Sequence, residues 1–292
     1  MKTIRHFIMT LADQLREVCS SQQAAEQEAW WMAEHVSGQP KMLLLAVTTY
    51  PLTQAHEAQL QTMVTLRVTE RKPLQYLLGW VPFAGLTITV QPPILIPRPE
   101  TEEWVVWLIE QLKPVNGCPL RIVDLCTGSG CIALALAQAC PAATVIGIDC
   151  NPHAVALAQF NAQRNRLTNV TFIESDLYQV LANESPFDLI VSNPPYITPA
   201  EYEALPAEVR AWEDPVALVA AQEGGAVYQR IIAQAKSFLC DSGVLVQNNL
   251  PRLVLESGTR PDAIVAMLHE QGFDRVAVHR DLQGKERWIA AL

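Results

Sequence analysis

Four features of the 292-residue chain could do chemistry, and they follow one another in a fixed order. Gly128 and Gly130 sit in "VDLCTGSGCIALAL" (123 to 136), between a strand-like run and a helix-like one. Glycines at such a junction let a ligand approach the backbone, and the helix N-terminus offers unpaired N–H groups. Asp149 ends the next strand, where a carboxylate can accept hydrogen bonds from both hydroxyls of a ribose. Asp176 ends a third strand in "ESDLY", and a fourth ends in Asn193, Pro194, Pro195 and Tyr196. Two prolines make that last corner rigid, and a rigid corner by itself is only a turn.

The glycine loop alone leaves the ligand open. Read from Gly128 it is G-S-G-C-I-A, which satisfies the G-x-G-x-x-[GA] pattern of dinucleotide-binding folds. Read from Asp124 it is D-x-C-x-G-x-G, similar to the loop of S-adenosylmethionine-dependent methyltransferases with Cys126 replacing the first glycine. A βα turn without any ligand also fits. The downstream residues separate these readings, since Asp176 stands where such methyltransferases hold the adenine and a dehydrogenase has no use for Asn-Pro-Pro-Tyr at the fourth strand.

The elements that must position these residues are legible in outline. Residues 4 to 36 read as helix, more helix follows from Lys41 to about Thr48 and through 53 to 69, and no strand pattern interrupts them. This predicts a helical domain over 1–75. "YLLGWVPFAGLTITV" alternates like a hairpin, so 76–97 reads as a connector. In "PRPETEEWVVWLIEQL", Thr101 is placed to cap an amphipathic helix. Over 98–292 strand and helix alternate, which predicts an α/β fold with a mostly parallel sheet and helices on both faces. "GVLVQNN", "RLVLES" and the C-terminal stretch offer later strands whose pairing the sequence leaves open.

Composition bounds the rest. Half the residues are apolar and 17% charged, the profile of a soluble globular protein. No segment approaches the roughly 18 unbroken apolar residues of a membrane span, and the start of the chain lacks a signal-peptide core. Seven cysteines without a CxxC pair read as reduced thiols in a cytoplasmic protein. No zinc site is expected from Cys126 and Cys131, because no second pair or His cluster completes a ligand set. The net charge of −9 lacks the basic footprint of a chain that grips nucleic acid.

Together "IPRPETE" (96 to 102), "DLCTGSGCIALA", "GIDCNPHAVALAQFNA", "SDL", "FDLIVSNPPYI" and "EVRAWEDPVAL" resemble the protein-glutamine methyltransferases that modify peptide chain release factors. The resemblance runs from about residue 72 to the end, behind a variable helical domain that would dock the substrate. It implies a Rossmann-like methyltransferase domain with a seven-stranded sheet, S-adenosyl-L-methionine as cofactor and the Gly-Gly-Gln loop of class I release factors as substrate. It also implies roles. Cys126, Thr127, Gly128, Ser129 and Gly130 would face the methionine part of the cofactor, Asp149 its ribose, and Asp176 and Leu177 its adenine. Asn193 and the Pro194 carbonyl would take both N–H groups of the glutamine amide, with Pro195 stiffening the corner and Tyr196 covering the amide plane. Arg98, Thr101 and Glu102 would help build the pocket.

Two relatives of this chemistry compete. The enzyme that methylates a glutamine of a large-subunit ribosomal protein shares the glycine loop, but its proline loop reads "VPRSP", which "IPRPETE" does not match. Amino-methylation of nucleic acid bases poses the same geometric problem, yet it needs a flipped base and cations to hold the strand. A silent cofactor-binding module has no need of an intact Asn-Pro-Pro-Tyr.

Overall fold

Capping residues, more than apolar periodicity, decide where the N-terminal helices start and stop. In the computed structural model, which describes residues 3–47, 50–258 and 260–292, Thr3 accepts the His6 N–H and opens α1 (Ile4–Leu15). Ser21 accepts the Ala24 N–H and opens α2 (Gln22–Ser37), so the single helix expected over 4–36 is two. A serine side chain that competes for backbone N–H groups stops one helix and starts another. Gly38, at φ 67°, ends α2 in the left-handed conformation that glycine tolerates.

Next come α3 (Lys41–Ala46), α4 (Gln54–Thr69) and α5 (Leu74–Leu78); the expected end of α3 at Thr48 lies outside the described residues. Ile8, Leu11, Leu15, Trp30, Met32 and Leu60 are fully buried among these helices. Each such side chain contributes about 1.5–3 kcal/mol when taken out of water.

The chain divides into two compact units: Met1–Gly79 with Pro206–Trp212, and Trp80–Leu205 with Glu213–Leu292. Within the first unit, buried Arg67 donates from Nε to Glu28 Oε2 at 3.0 Å and also pairs with Glu208. Trp212 Nε1 donates to the Glu70 carbonyl at 2.8 Å, and the Lys72 ammonium lies 5.0 Å from the Trp212 ring centre. Pro206–Trp212 is therefore held by polar groups of the N-terminal helices.

The second unit opens with the antiparallel hairpin β1 (Trp80–Phe83) and β2 (Leu86–Thr89), followed by α6 (Pro99–Leu112). The alternation then runs β3 (Arg121–Leu125), α7 (Cys131–Ala139), β4 (Thr144–Asp149), α8 (Pro152–Arg164), β5 (Val170–Glu174) and β6 (Leu189–Ser192). The short helix α9 (Pro199–Glu203), and α10 (Ala207–Trp212), which belongs to the first unit, precede α11 (Ala226–Phe238) and α12 (Val244–Gln247). The chain closes with β7 (Leu253–Glu256), α13 (Pro261–Glu270), β8 (Val276–Arg280) and β9 (Glu286–Ala291).

Among the described residues seven strands form one sheet, in the order β5-β4-β3-β6-β7-β9-β8, with only β9 antiparallel to its neighbours. Strands β6 and β7 are buried at every position, and each reads as three apolar residues closed by a buried polar one, Ser192 or Glu256. The chain winds from β3 outward to β5, then returns to place β6 on the other side of β3. At such a reversal the loops diverge and leave a crevice at the carboxyl ends of the strands.

The expectation of a strand in "GVLVQNN" is corrected. That run forms α12 and a turn through Asn249, with Leu245 fully buried, and the strand begins only at Leu253. Four apolar residues suit one helical turn as well as a strand, so periodicity does not separate them. The open pairing is resolved by β8 and β9, a hairpin that inserts β9 between β7 and β8.

Candidate active site

Strand register brings the chemical residues together. Leu125 pairs with Ile148 on one side and Ser192 on the other, so the residues that follow each strand meet at one end of the sheet. Thr127 Oγ1 donates to Asp124 Oδ2 at 2.6 Å, and the Ala133 N–H reaches the same oxygen at 3.2 Å. This ties the start of α7 to the end of β3 and shapes the loop between them. Fully buried Asn161 reaches it from α8, donating to the Ser129 and Thr89 carbonyls at 3.0 Å while accepting the Thr89 N–H. The β2 strand and the glycine loop are thus fastened through one side chain.

Asp149 carries the loop's other anchor. Its Oδ2 accepts the Gly128 N–H at 2.8 Å and its Oδ1 the Asn151 N–H at 2.9 Å. Burial raises its pKa, against the lowering effect of those two donors. Each carboxylate oxygen has a second lone pair, so acceptor capacity remains.

A cleft of about 260 Å³ lies over these strand ends. Cys126, Gly128, Asp149, Asp176, Leu177 and Asn193 line it, as does Pro195. Thr127, Ser129 and Gly130 are buried and do not line it. Cys126 (φ 60°) and Leu177 (φ 51°) both take the left-handed conformation without being glycine. Such strain costs on the order of 1–3 kcal/mol per residue and clusters at ligand sites. Asp149, Asp176 and Asp214 face a single guanidinium, Arg230, so the lining is net negative. Arg230 is paired at 2.7 Å to Asp176.

The corner after β6 points two ways. Asn193 and Pro195 line the cleft, while the Tyr196 ring lies on a second, smaller cavity of about 130 Å³. A Cβ at Gly258 would come within 2.5 Å of that ring, so only glycine admits it. Behind Asn193, its Nδ2 donates to Thr101 Oγ1 at 3.3 Å, and Thr101 donates in turn to Glu256 Oε2 at 2.6 Å.

The "PRPETE" residues lie outside the lining of the cleft. Arg98 precedes α6 and pairs at 2.5 Å with buried Glu213. Thr101 is buried inside the first turn and makes no cap, which corrects the expected capping role. Glu102 accepts the Ala84 N–H at 2.7 Å and holds the β1–β2 turn. Sequence reasoning missed Glu256, Trp104 and Arg230 as parts of the site. Arg230 carries no local signal, being one of several polar residues of α11.

All seven cysteines are free thiols. Burial pushes the Cys126 thiol well up and Cys131 up to about 12, so both stay neutral near pH 7. Among the described residues, no three His, Cys, Asp or Glu side chains are grouped to hold a metal ion. Likewise no described helix is long and apolar enough to cross a membrane.

Burial also pushes Asp124 up to about 7, outweighing its hydrogen bonds from Thr127 and Ala133. A carboxyl with a higher pKa folded than unfolded binds more protons in the folded state, so its contribution to stability falls as pH rises between those two values. Asp124→Asn removes this dependence. The melting temperature of the variant relative to the parent is expected to rise from about pH 5 to about pH 7 and then level off. A flat difference across that range in thermal unfolding would contradict the assignment.

Residues 106–208 match the Methyltransferase small domain family, and residues 10–79 match the PrmC N-terminal domain family. The chain is 37% identical over 278 residues to the release factor glutamine methyltransferase of Escherichia coli, covering 94% of this chain and 95% of that one. It is 36% identical over 287 residues to the human MTRF1L release factor glutamine methyltransferase, covering 91% and 80%. Among solved structures, human methyltransferase 10 domain containing protein shares the fold with a TM-score of 0.50 at 20% identity, covering 82% of this chain and 95% of that one.

Proposed function

The chain belongs to the release factor glutamine methyltransferase family, and from that premise we propose its reaction. It transfers a methyl group from S-adenosyl-L-methionine to the side-chain amide nitrogen of the glutamine in the Gly-Gly-Gln loop of a class I peptide chain release factor, in the cytoplasm. The observation that carries this reading is one cleft lined at once by Gly128, Asp149, Asp176 and Asn193.

The residues present fit the cofactor. A Cβ at Gly128 would meet nothing within 4 Å, so the backbone there lies open for a ligand, and Asp149 keeps acceptor capacity for a ribose. The net negative lining suits a ligand with an ammonium and a sulfonium against one carboxylate. Cys126 to Gly130 would hold the methionine part, Asp149 the ribose, and Asp176 with Leu177 the adenine. When bound, S-adenosyl-L-methionine supplies an electrophilic methyl group that needs no covalent intermediate with the protein.

The protein's part is to position a poor nucleophile. An amide nitrogen shares its lone pair with the carbonyl, and a side chain cannot cheaply deprotonate it at neutral pH. Asn193 Oδ1 and the Pro194 carbonyl would accept its two N–H groups, aim the nitrogen and favour the positive charge that develops on it. Pro194 and Pro195 hold the two acceptors at a fixed separation, so little freedom is lost on binding. Tyr196, its ring seated against Gly258, braces the corner. One N–H proton then leaves to water.

Labelled cofactor offered with a release factor, with its Gly-Gly-Gln Gln→Ala form, with ribosomal protein and with DNA tests the reading. Label is expected on the first substrate only. Equal labelling of the Gln→Ala form, or labelling of ribosomal protein or DNA in preference, would refute it.

A further inference from the structure

A side-chain amide has one end that accepts hydrogen bonds and one that donates them, and the two are nearly the same shape. Asn193 can grip an N–H group only if its oxygen end is the one left for the cleft. A chain of buried groups behind it decides this.

The chain begins at Trp104, which is fully buried and whose indole N–H can only donate; it donates to Glu256 Oε2 at 2.8 Å. Thr101 Oγ1 lies 2.6 Å from the same oxygen. Burial raises the Glu256 pKa, but Oε2 already accepts the Trp104 N–H and so is the accepting oxygen of that carboxyl; the single hydroxyl proton of Thr101 goes to it, and the Thr101 lone pairs are left for Asn193. The group at 3.3 Å from Thr101 must then be the NH2 of Asn193, which leaves Oδ1 as the free end. Thr101 is 2% and Glu256 3% exposed, so water cannot replace either partner. Tyr228 adds a further bond, from its hydroxyl to the Glu256 carbonyl at 2.7 Å, and so fixes the end of β7.

We infer that Thr101, backed by Glu256 and Trp104, sets the amide orientation of Asn193 and is thereby a positioning residue for methyl transfer. The inference rests on the reading of Asn193 as an acceptor for the substrate amide. It gives the "PETE" segment a task distinct from cofactor contact. Thr101 lies outside the lining of the cleft and orients Asn193, which lines it.

The test uses the full chain with Thr101→Val, which keeps the shape and removes the hydroxyl, and Thr101→Ser, which restores it. With release factor as substrate, Val is expected to lower kcat about tenfold or more and Ser to stay within about threefold of the parent, a tenfold loss being about 1.4 kcal/mol. The Kd for S-adenosyl-L-methionine should hold within about twofold in both, since residue 101 lies outside the lining of the cleft. In an Asn193→Ala background, adding Thr101→Val should cost nothing more, because the residue it acts through is gone. A parent-like kcat for Val, or an equal loss in both backgrounds, overturns the inference. A second readout needs no activity. The side-chain NH2 resonance of Asn193, identified by its loss in Asn193→Ala, should be protected from exchange in the parent and in Ser but not in Val. Unchanged protection in Val overturns the orientation even if the parent methylates its substrate. Failure of the parent to label the release factor glutamine, with protection lost in Val, instead overturns the substrate reading and leaves the orientation standing.

Discussion

Asn193→Ala is expected to lower kcat by about 10²–10³-fold, the usual loss when one preorganised partner of a developing charge is removed. Cofactor affinity should change by no more than a few fold. The asymmetry follows from position. Asn193 lines the cleft at the end of β6, while the loop over Gly128 and the Asp149 carboxylate come from β3 and β4. Alanine removes the side-chain acceptor and keeps the Pro194 carbonyl, so the amide can still enter but is no longer aimed. Steady-state kinetics with release factor, together with calorimetric titration of the cofactor, check both halves. Turnover within a few fold of the parent would remove Asn193 from the mechanism.

Asp149→Ala should act on the other ligand. Affinity for S-adenosyl-L-methionine is expected to fall roughly 100-fold, as a charged acceptor for two hydroxyls is worth several kcal/mol in a part-buried site. The protein itself should lose about 1–3 kcal/mol, because the Gly128 and Asn151 N–H groups both lose their acceptor. Asn is a poor rescue. It has one accepting oxygen where the backbone presents a donor to each, so its NH2 end would face an N–H. Titration and thermal unfolding on the same samples separate the effects. A fall in melting temperature with unchanged affinity would make Asp149 a loop anchor alone.

The parallel core was legible because its strands carry their own punctuation. "RIVDLC", "TVIGID" and "FDLIVSN" are apolar runs that end in the residues facing the cleft, and the alternation with helices leaves few topologies. Placement was harder wherever a side chain's partner comes from far along the chain. Thr101 reads as a cap because capping is local, yet its partner Glu256 is 155 residues away. Ser21 breaks a helix that apolar spacing alone would continue. Leu245 and its neighbours have a strand's composition but satisfy their burial in one helical turn. Local pattern dictates which elements form; it says little about which side chains meet.

Pro206–Trp212 shows how the two units share one chain. The segment follows Asn-Pro-Pro-Tyr after one short helix, and Glu208 pairs with Arg67 and Trp212 bonds to Glu70 in the helical unit. The polypeptide therefore visits its N-terminal unit twice. Cutting after Gly79 removes the partners of a stretch that remains behind: Glu208 loses Arg67 and Trp212 loses the Glu70 carbonyl. The first unit is thus built from two separate stretches of chain, and exchanging its helices also changes the partners of those seven residues.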